Sequence, residues 1–227
     1  MRPVDKGLSP GTFTSYDQAK PTLTERIGDY CSYCERQIET NLAIEHVRPK
    51  SLDTHLELEW SNFLLGCANC NSSKGDSPVD IDDFLWPDTE NTIRAFSYNE
   101  GGIVEPALGL SPELEAKAWA SIRLTGLDKY PGNPNKTPTK ADQRWLRRLE
   151  ALTKARRARN IVNGNDTPET RELAVEVCMG KGMLSIWYTV FEGDADMRRR
   201  LIEAFPGTAP DCFDANADPV ARPGGKL

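Results

Sequence analysis

The sequence predicts an α+β fold, in which a small strand–strand–helix unit clamped by four cysteines is followed by a mainly helical C-terminal half. Three observations carry this. Two C-x-x-C pairs, Cys31/Cys34 and Cys67/Cys70, bracket the segment that holds both histidines of the chain. Between them the strand-like run LAIEHV at 42–47 stops near Pro49, a second short strand is expected near Trp60, and a helix opens around the second pair. From residue 111 onward the apolar spacing changes to the three-and-four pattern of helices.

The chain has 227 residues, enough for one good core or for a small domain with a helical partner, and two linked units are expected. Residues 1–24 read as an extended arm, because Pro3, Pro10, Gly11 and Pro21 punctuate them without helical period. Residues 25–80 form the compact chemical unit. Residues 81–110 read as an acidic, hairpin-like connector, with a strand over 92–98, a turn at Gly101-Gly102 and a return at Ile103-Val104. The helical module spans 111–206. It opens with Ser111 as N-cap, Pro112 at the first helical position, Leu114, Ala118 and Ile122 four apart, and Gly126 as the stop. A second helix follows over 139–162, with Trp145, Leu149 and Leu152 on one stripe. Thr167-Pro168 opens another, and Asp194 or Asp196 begins a last one running through Phe205. The tail, 207–227, is rich in Pro, Asp and Gly and reads either as disordered or as a strap on the surface.

No stretch approaches the roughly 20 apolar residues that cross a bilayer, and MRPVDKGLSPGTFTSYD lacks a secretory apolar region, so a cytoplasmic protein without a membrane partner is expected. The net charge of −6 argues against nucleic acid as a partner, but it hides a segregated distribution. Residues 111–165 carry twelve Lys/Arg against five Asp/Glu, whereas 81–110 carry one Arg against six acids. The basic segment is where a polyanion could be met. Its helix around Arg144 to Arg159 is read three ways: as a solvated face, as a nucleic-acid track, or as a docking surface for an acidic partner.

In a chain without an export signal, paired cysteines favour metal over disulfides. Two knuckles 32 residues apart can close one tetrahedral zinc site of Cys31, Cys34, Cys67 and Cys70. Such a site has no open position for water, so the zinc is structural and the reactive centre lies elsewhere. Cys178 and Cys212 stand alone and read as packing residues.

Inside the clamp, Glu45 ends the first strand and Asn71 stands one residue past Cys70 on the helix that faces it. A carboxylate and an amide oxygen suit a hard divalent cation such as magnesium, which keeps its other positions for water and phosphate. The neighbouring imidazole of His46 is the candidate general base, since its ordinary pKa lies near neutrality. Arg48, Lys50 and Lys74 flank the site and are candidates for holding phosphate oxygens, and His55 is a further candidate contact.

The order Cys-x-x-Cys, Glu-His-x-x-Pro-Lys-Ser, Trp-x-Asn, Cys-x-x-Cys-Asn-x-x-Lys-Gly over residues 31–75 resembles the HNH nucleases, whose ββα-metal core cleaves DNA or, less often, RNA. The resemblance implies that His46 is the general base, Glu45 the acidic ligand of a catalytic magnesium or manganese, Asn62 the middle asparagine that fixes the interstrand loop, and Asn71 the last metal ligand. Glu45 stands where aspartate is commoner, adding one methylene to the metal geometry. Beyond the motif, MRPVDKG, AWASIRLTGLD, DQRWLRR and FPGTAPDCFD resemble the arm and helical half of the PtuB-like nucleases of retron and Septu anti-phage systems. That similarity implies an ATPase partner of the PtuA type and a nucleic-acid substrate, with DNA favoured over RNA or tRNA. No Walker-type loop occurs, so an ATP requirement is expected to come from the partner.

Two other readings stand beside this one. The knuckles could present a loop to nucleic acid or protein in a non-catalytic zinc-knuckle binding module. The carboxylate of Glu45 argues against it, because a binding module has no need of a group that repels phosphate. A toxin-like effector, restrained until an ATPase partner releases it, differs from the leading reading in regulation rather than chemistry.

Overall fold

The computed structural model describes residues 1–227. Two short strands, β1 (Ala43–His46) and β2 (Phe63–Gly66), pair antiparallel with Glu45 opposite Leu64 and His46 opposite Phe63. All four β2 residues are buried, so the ribbon is fixed by packing on both faces rather than by its few ladder bonds. Cys67 caps helix α2 (Ala68–Lys74), which ends at Gly75 with φ +52°. An eight-residue helix, α1 (Lys20–Ile27), carries Leu23 and Ile27 against this unit.

The connector departs from the expected strand over 92–98. Only β3 (Phe96–Tyr98) is extended, pairing with β4 (Val104–Pro106), while Thr92–Ala95 forms a helical turn, α3. The cause is Asn91, whose Oδ1 accepts from Ile93 N while its Nδ2 donates to Cys212 O and Val220 O, so the tail imposes the turn. At the hairpin's bend, Gly102 (φ +68°) lies so close to Leu149 that a Cβ would sit 2.9 Å from its backbone nitrogen.

In helix α4 (Pro112–Leu124) Ser111 Oγ accepts from Leu114 N, and Ala118 and Ile122 are buried. Helix α5 (Arg144–Gly164) begins five residues later than expected. Its buried stripe is Arg144, Arg148, Ala151, Leu152, Ala155 and Val162, with Trp145 and Leu149 only half-buried. Three more helices follow: α6 (Pro168–Met179), α7 (Leu184–Val190) and α8 (Ala195–Ala204), the last capped by Asp194. Sequence periodicity did not single out α7.

A core of 27 residues joins the arm (Met1, Val4), the knuckles, both strands, Trp86, Phe96, Val104 and α4 to Leu227. A second core of 11 residues belongs to α5–α8, with Tyr30 and Phe205. Helix α4 therefore packs in the same core as the ββα unit, through Ala118 and Ile122. The arm and tail are laid down in order. Lys6 Nζ donates to Ser61 O and Phe63 O and pairs with Asp88 at 2.7 Å, and Leu227 is buried, so the tail is a strap. No helix is long and apolar enough to cross a membrane.

Candidate active site

The four knuckle sulfurs lie within 4.8 Å of one another, with Cys34 and Cys67 Sγ 3.7 Å apart. A tetrahedral zinc with bonds of about 2.3 Å would hold its sulfurs about 3.8 Å apart, so the cluster fits that ion and is closed on all four sides. Donors surround it. Cys67 N donates to Cys31 Sγ (3.3 Å), Arg144 Nη1 to Cys70 Sγ (3.1 Å) and Arg36 Nη2 to Cys67 Sγ (3.6 Å), offsetting the excess negative charge of four thiolates. Cys178 and Cys212 are buried far from this cluster in sequence and serve packing.

A cleft of about 180 Å³ opens between β1 and α2, and Tyr16, Glu45, His46, Lys50, Asn71 and Lys74 stand on its walls. The imidazole of His46 is wedged edge-on between Tyr16 and Phe63, at centroid distances of 5.1 and 5.2 Å. Its Nε2 lies 3.0 Å from Glu57 O. A carbonyl only accepts, so Nε2 carries the proton and Nδ1 keeps the free lone pair. Burial pushes the His46 pKa below its ordinary 6.5, the positive charges of Lys50 and Lys74 add to this, and the Glu57 carbonyl opposes it. The ring is a neutral base at physiological pH.

Glu45 is almost fully buried, and Lys74 Nζ sits 3.0 Å from its Oε1 while donating to His46 O at 2.7 Å. Burial raises the Glu45 pKa and the Lys74 charge opposes the rise. Lys74, expected to reach phosphate, is itself buried and tied down at the end of β1. One Glu45 oxygen remains beyond that pair, and Asn71 lines the same cleft from half-buried α2. This carboxylate-plus-amide donor set, with open polar space beside it, fits one hard cation that retains water.

Asn62 Oδ1 accepts from Arg48 N (2.7 Å), and its Nδ2 donates to Arg48 O (2.9 Å) and Leu56 O (3.2 Å), so this one amide pins the whole interstrand loop. Lys50 projects over the Tyr16 ring at 4.0 Å, on the cleft's rim. Two expected contacts are not brought in. Arg48 turns away to grip Asp53 with Nε at 3.0 Å and Nη2 at 3.2 Å, and His55 is exposed on the one-turn segment Thr54–Leu56. Conversely, Tyr16 and the Glu57 carbonyl were missed. Tyr16 sits in the arm with no local motif around it, and a backbone oxygen carries no sequence signal.

The sequence from the first knuckle to just past α2, residues 31–77, matches the family model for HNH endonucleases. That segment is an HNH endonuclease domain. Over 85 residues the chain is similar to the Septu protein PtuB of Bacillus thuringiensis, at 29% identity, which covers 35% of this chain and 33% of that protein. The chain thus spans about a third of the length of the curated relative it matches. The HNH domain accounts for the cleft. Its strand end supplies Glu45 and His46, its helix supplies Asn71, and its knuckles hold strand and helix at fixed separation. The basic helix outside the domain is committed to internal contacts at three of its arginines, while Arg147, Lys154, Arg156 and Arg157 are exposed. Arg144 donates to Thr125 O, Gly126 O and Asp142, Arg148 to Gly102 O and Leu127 O, and Arg159 to Val190 O. Those three arginines are therefore not available to meet a polyanion.

Proposed function

We propose that the chain is a metal-dependent endonuclease hydrolysing phosphodiester bonds of nucleic acid, with DNA favoured over RNA, and that it acts in the cytoplasm as the effector of a bacterial anti-phage complex with a PtuA-like ATPase. The observation that carries the chemistry is His46, tied through Nε2 to Glu57 O so that Nδ1 keeps the free lone pair, on the wall of a cleft shared with Glu45 and Asn71.

Water entering the cleft gives its proton to His46 Nδ1 as it attacks phosphorus, and the bond to Glu57 O holds the ring in place as it becomes cationic. Glu45 and Asn71 would hold magnesium or manganese, which would supply neutralisation of the charge on the phosphate and on the leaving oxygen. Lys50 at the rim holds a phosphate oxygen as a point charge. Lys74 fixes the Glu45 carboxylate, and Asn62 fixes the loop that carries the Glu57 carbonyl. Arg48 and His55, outside the cleft, take no part in this step. The anti-phage role and the ATPase partner rest on the similarity to PtuB.

The test is cleavage of supercoiled plasmid and of total tRNA by wild type and His46→Ala, with magnesium, manganese or EDTA, with and without a candidate ATPase. Metal-dependent cutting that disappears in His46→Ala is expected, and the substrate consumed assigns DNA or RNA. A folded, zinc-loaded chain that binds nucleic acid yet cuts neither substrate in any condition overturns the enzyme reading in favour of the zinc-knuckle binding module.

A further inference from the structure

Arg144, Arg148 and Arg159 turn inward, and two other positive charges of the basic segment, Arg123 on the last turn of α4 and Lys136 in the loop before α5, flank a second hollow. Its volume is about 280 Å³, and Trp119, Arg123, Asp128, Tyr130, Asn135 and Lys136 stand on its walls beside the β4 edge. Trp119 and Tyr130 are half-buried. The Arg123 guanidinium lies over the Trp119 ring at 5.5 Å. Asp128 shows only 14% of its side chain, pairs through Oδ2 with Lys136 at 3.0 Å, and has a buried Oδ1 without any hydrogen-bond partner. An acceptor left bare in this way is uncommon, and a ligand N–H is the group that satisfies it.

The hollow is coupled to the HNH helix. Lys129, between Asp128 and Tyr130, donates through Nζ to Ser73 Oγ at 3.0 Å, and Gly126 packs so tightly on Ser73 that a Cβ would lie 2.6 Å from that hydroxyl. Ser73 precedes Lys74 on the last turn of α2, whose Asn71, Lys74 and Gly75 border the catalytic cleft. The loop that carries the hollow is thus anchored to the same helix that borders the cleft.

We propose that this hollow is a base-binding subsite for an unstacked nucleotide, with the base on Trp119 and Tyr130, its exocyclic amino group toward Asp128, and its phosphate near Arg123 and Lys136. Aromatic faces accept any base, whereas an acceptor-only carboxylate selects bases that present an amino donor over thymine or uracil. The volume suits one nucleotide and not a duplex, so the ligand is a single-stranded segment or a free nucleotide. The inference rests on the nuclease reading and deepens it by naming a substrate feature.

The test uses the full zinc-loaded chain without added divalent cation, so that binding is read apart from cleavage. Anisotropy of labelled oligo-dA and oligo-dT is measured for wild type, Trp119→Leu and Asp128→Asn, with adenosine monophosphate as competitor, and circular dichroism checks the fold of each variant. Wild type is expected to prefer oligo-dA by about tenfold, with Trp119→Leu weakening binding about tenfold and Asp128→Asn abolishing the preference. Binding of adenosine monophosphate alone, with the same dependence on Asp128, supports the subsite and identifies the source as a free nucleotide. Equal binding of both oligonucleotides that neither folded variant alters overturns it, and so does absence of binding to all three probes. Cleavage by a chain lacking this preference would leave the nuclease reading standing without the subsite.

Discussion

At the scale of single residues, the cleft depends on two buried charges that hold each other. Lys74 and Glu45 expose only 1% and 3% of their side chains, so deleting either partner strands the other in a poor solvent for charge. Lys74→Met should cost about 3–5 kcal/mol in urea unfolding, because Glu45 would be left buried and uncompensated. Lys74→Met combined with Glu45→Gln should recover a large part of that loss, and strict additivity of the two single variants would refute the pairing. His46 makes a different prediction. In the proposed mechanism the base works in its neutral form, and the His46 pKa is depressed below 6.5 by burial. Cleavage should therefore hold steady as pH falls toward 6.5 and decline only below it. A pH–rate profile with its acid limb above 6.5 would show that another group sets the protonation requirement. Tyr16 braces the same ring and rests under Lys50, so Tyr16→Ala should lower kcat with little change in global stability, measured by single-turnover kinetics beside thermal unfolding.

At the scale of elements, what was legible in the sequence was local. The caps at Ser111, Thr167 and Asp194 each bond within their own first turn, so residues three apart in sequence determine them. The β1–β2–α2 unit was legible for the same reason, since Glu45, His46 and Asn62 fall in order between the knuckles and Asn71 follows the second one directly. The strand expected over 92–95 failed because Asn91 answers to carbonyls more than a hundred residues away. The stripe of α5 was misread because Arg144 and Arg148 are counted as surface residues by type, yet each finds enough carbonyl acceptors to be buried. Arg144 also joins α5 to the knuckle, donating to Cys70 Sγ while pairing with Asp142 at 2.7 Å. Arg144→Met should destabilise the protein by about 3–5 kcal/mol and accelerate zinc loss to a chromogenic chelator. Unchanged zinc release in the folded variant would mean that this donor does not support the thiolate.

At the scale of the whole molecule, the metal clamp and the helical half are interlocked, although their apolar cores are separate clusters. Tyr30, next to the first knuckle cysteine, belongs to the α5–α8 core, and its hydroxyl donates to Met179 O at 3.0 Å. Glu35, one residue past Cys34, accepts from Ser185 N at 2.9 Å, and its own carbonyl accepts from Met183 N at 2.8 Å. The fit there is so close that a Cβ on Gly182 (φ +69°) would fall 2.1 Å from Glu35 O, which leaves glycine as the one residue the contact tolerates. The knuckle loop is thus a shared wall of both halves. A four-thiolate zinc contributes on the order of 10 kcal/mol to the fold it closes, comparable to the roughly 5–15 kcal/mol that a whole domain has in reserve. Removing the ion should therefore unfold more than the small unit around it. Titration with a strong zinc chelator is expected to abolish the near-ultraviolet signal of Trp187, buried in the helical core, at the same midpoint as the far-ultraviolet helical signal and the zinc release itself. If zinc left first while the α5–α8 signals persisted to a separate, later transition, the two halves would be independent folding units, and the contacts of Tyr30 and Glu35 would be mere adjacency.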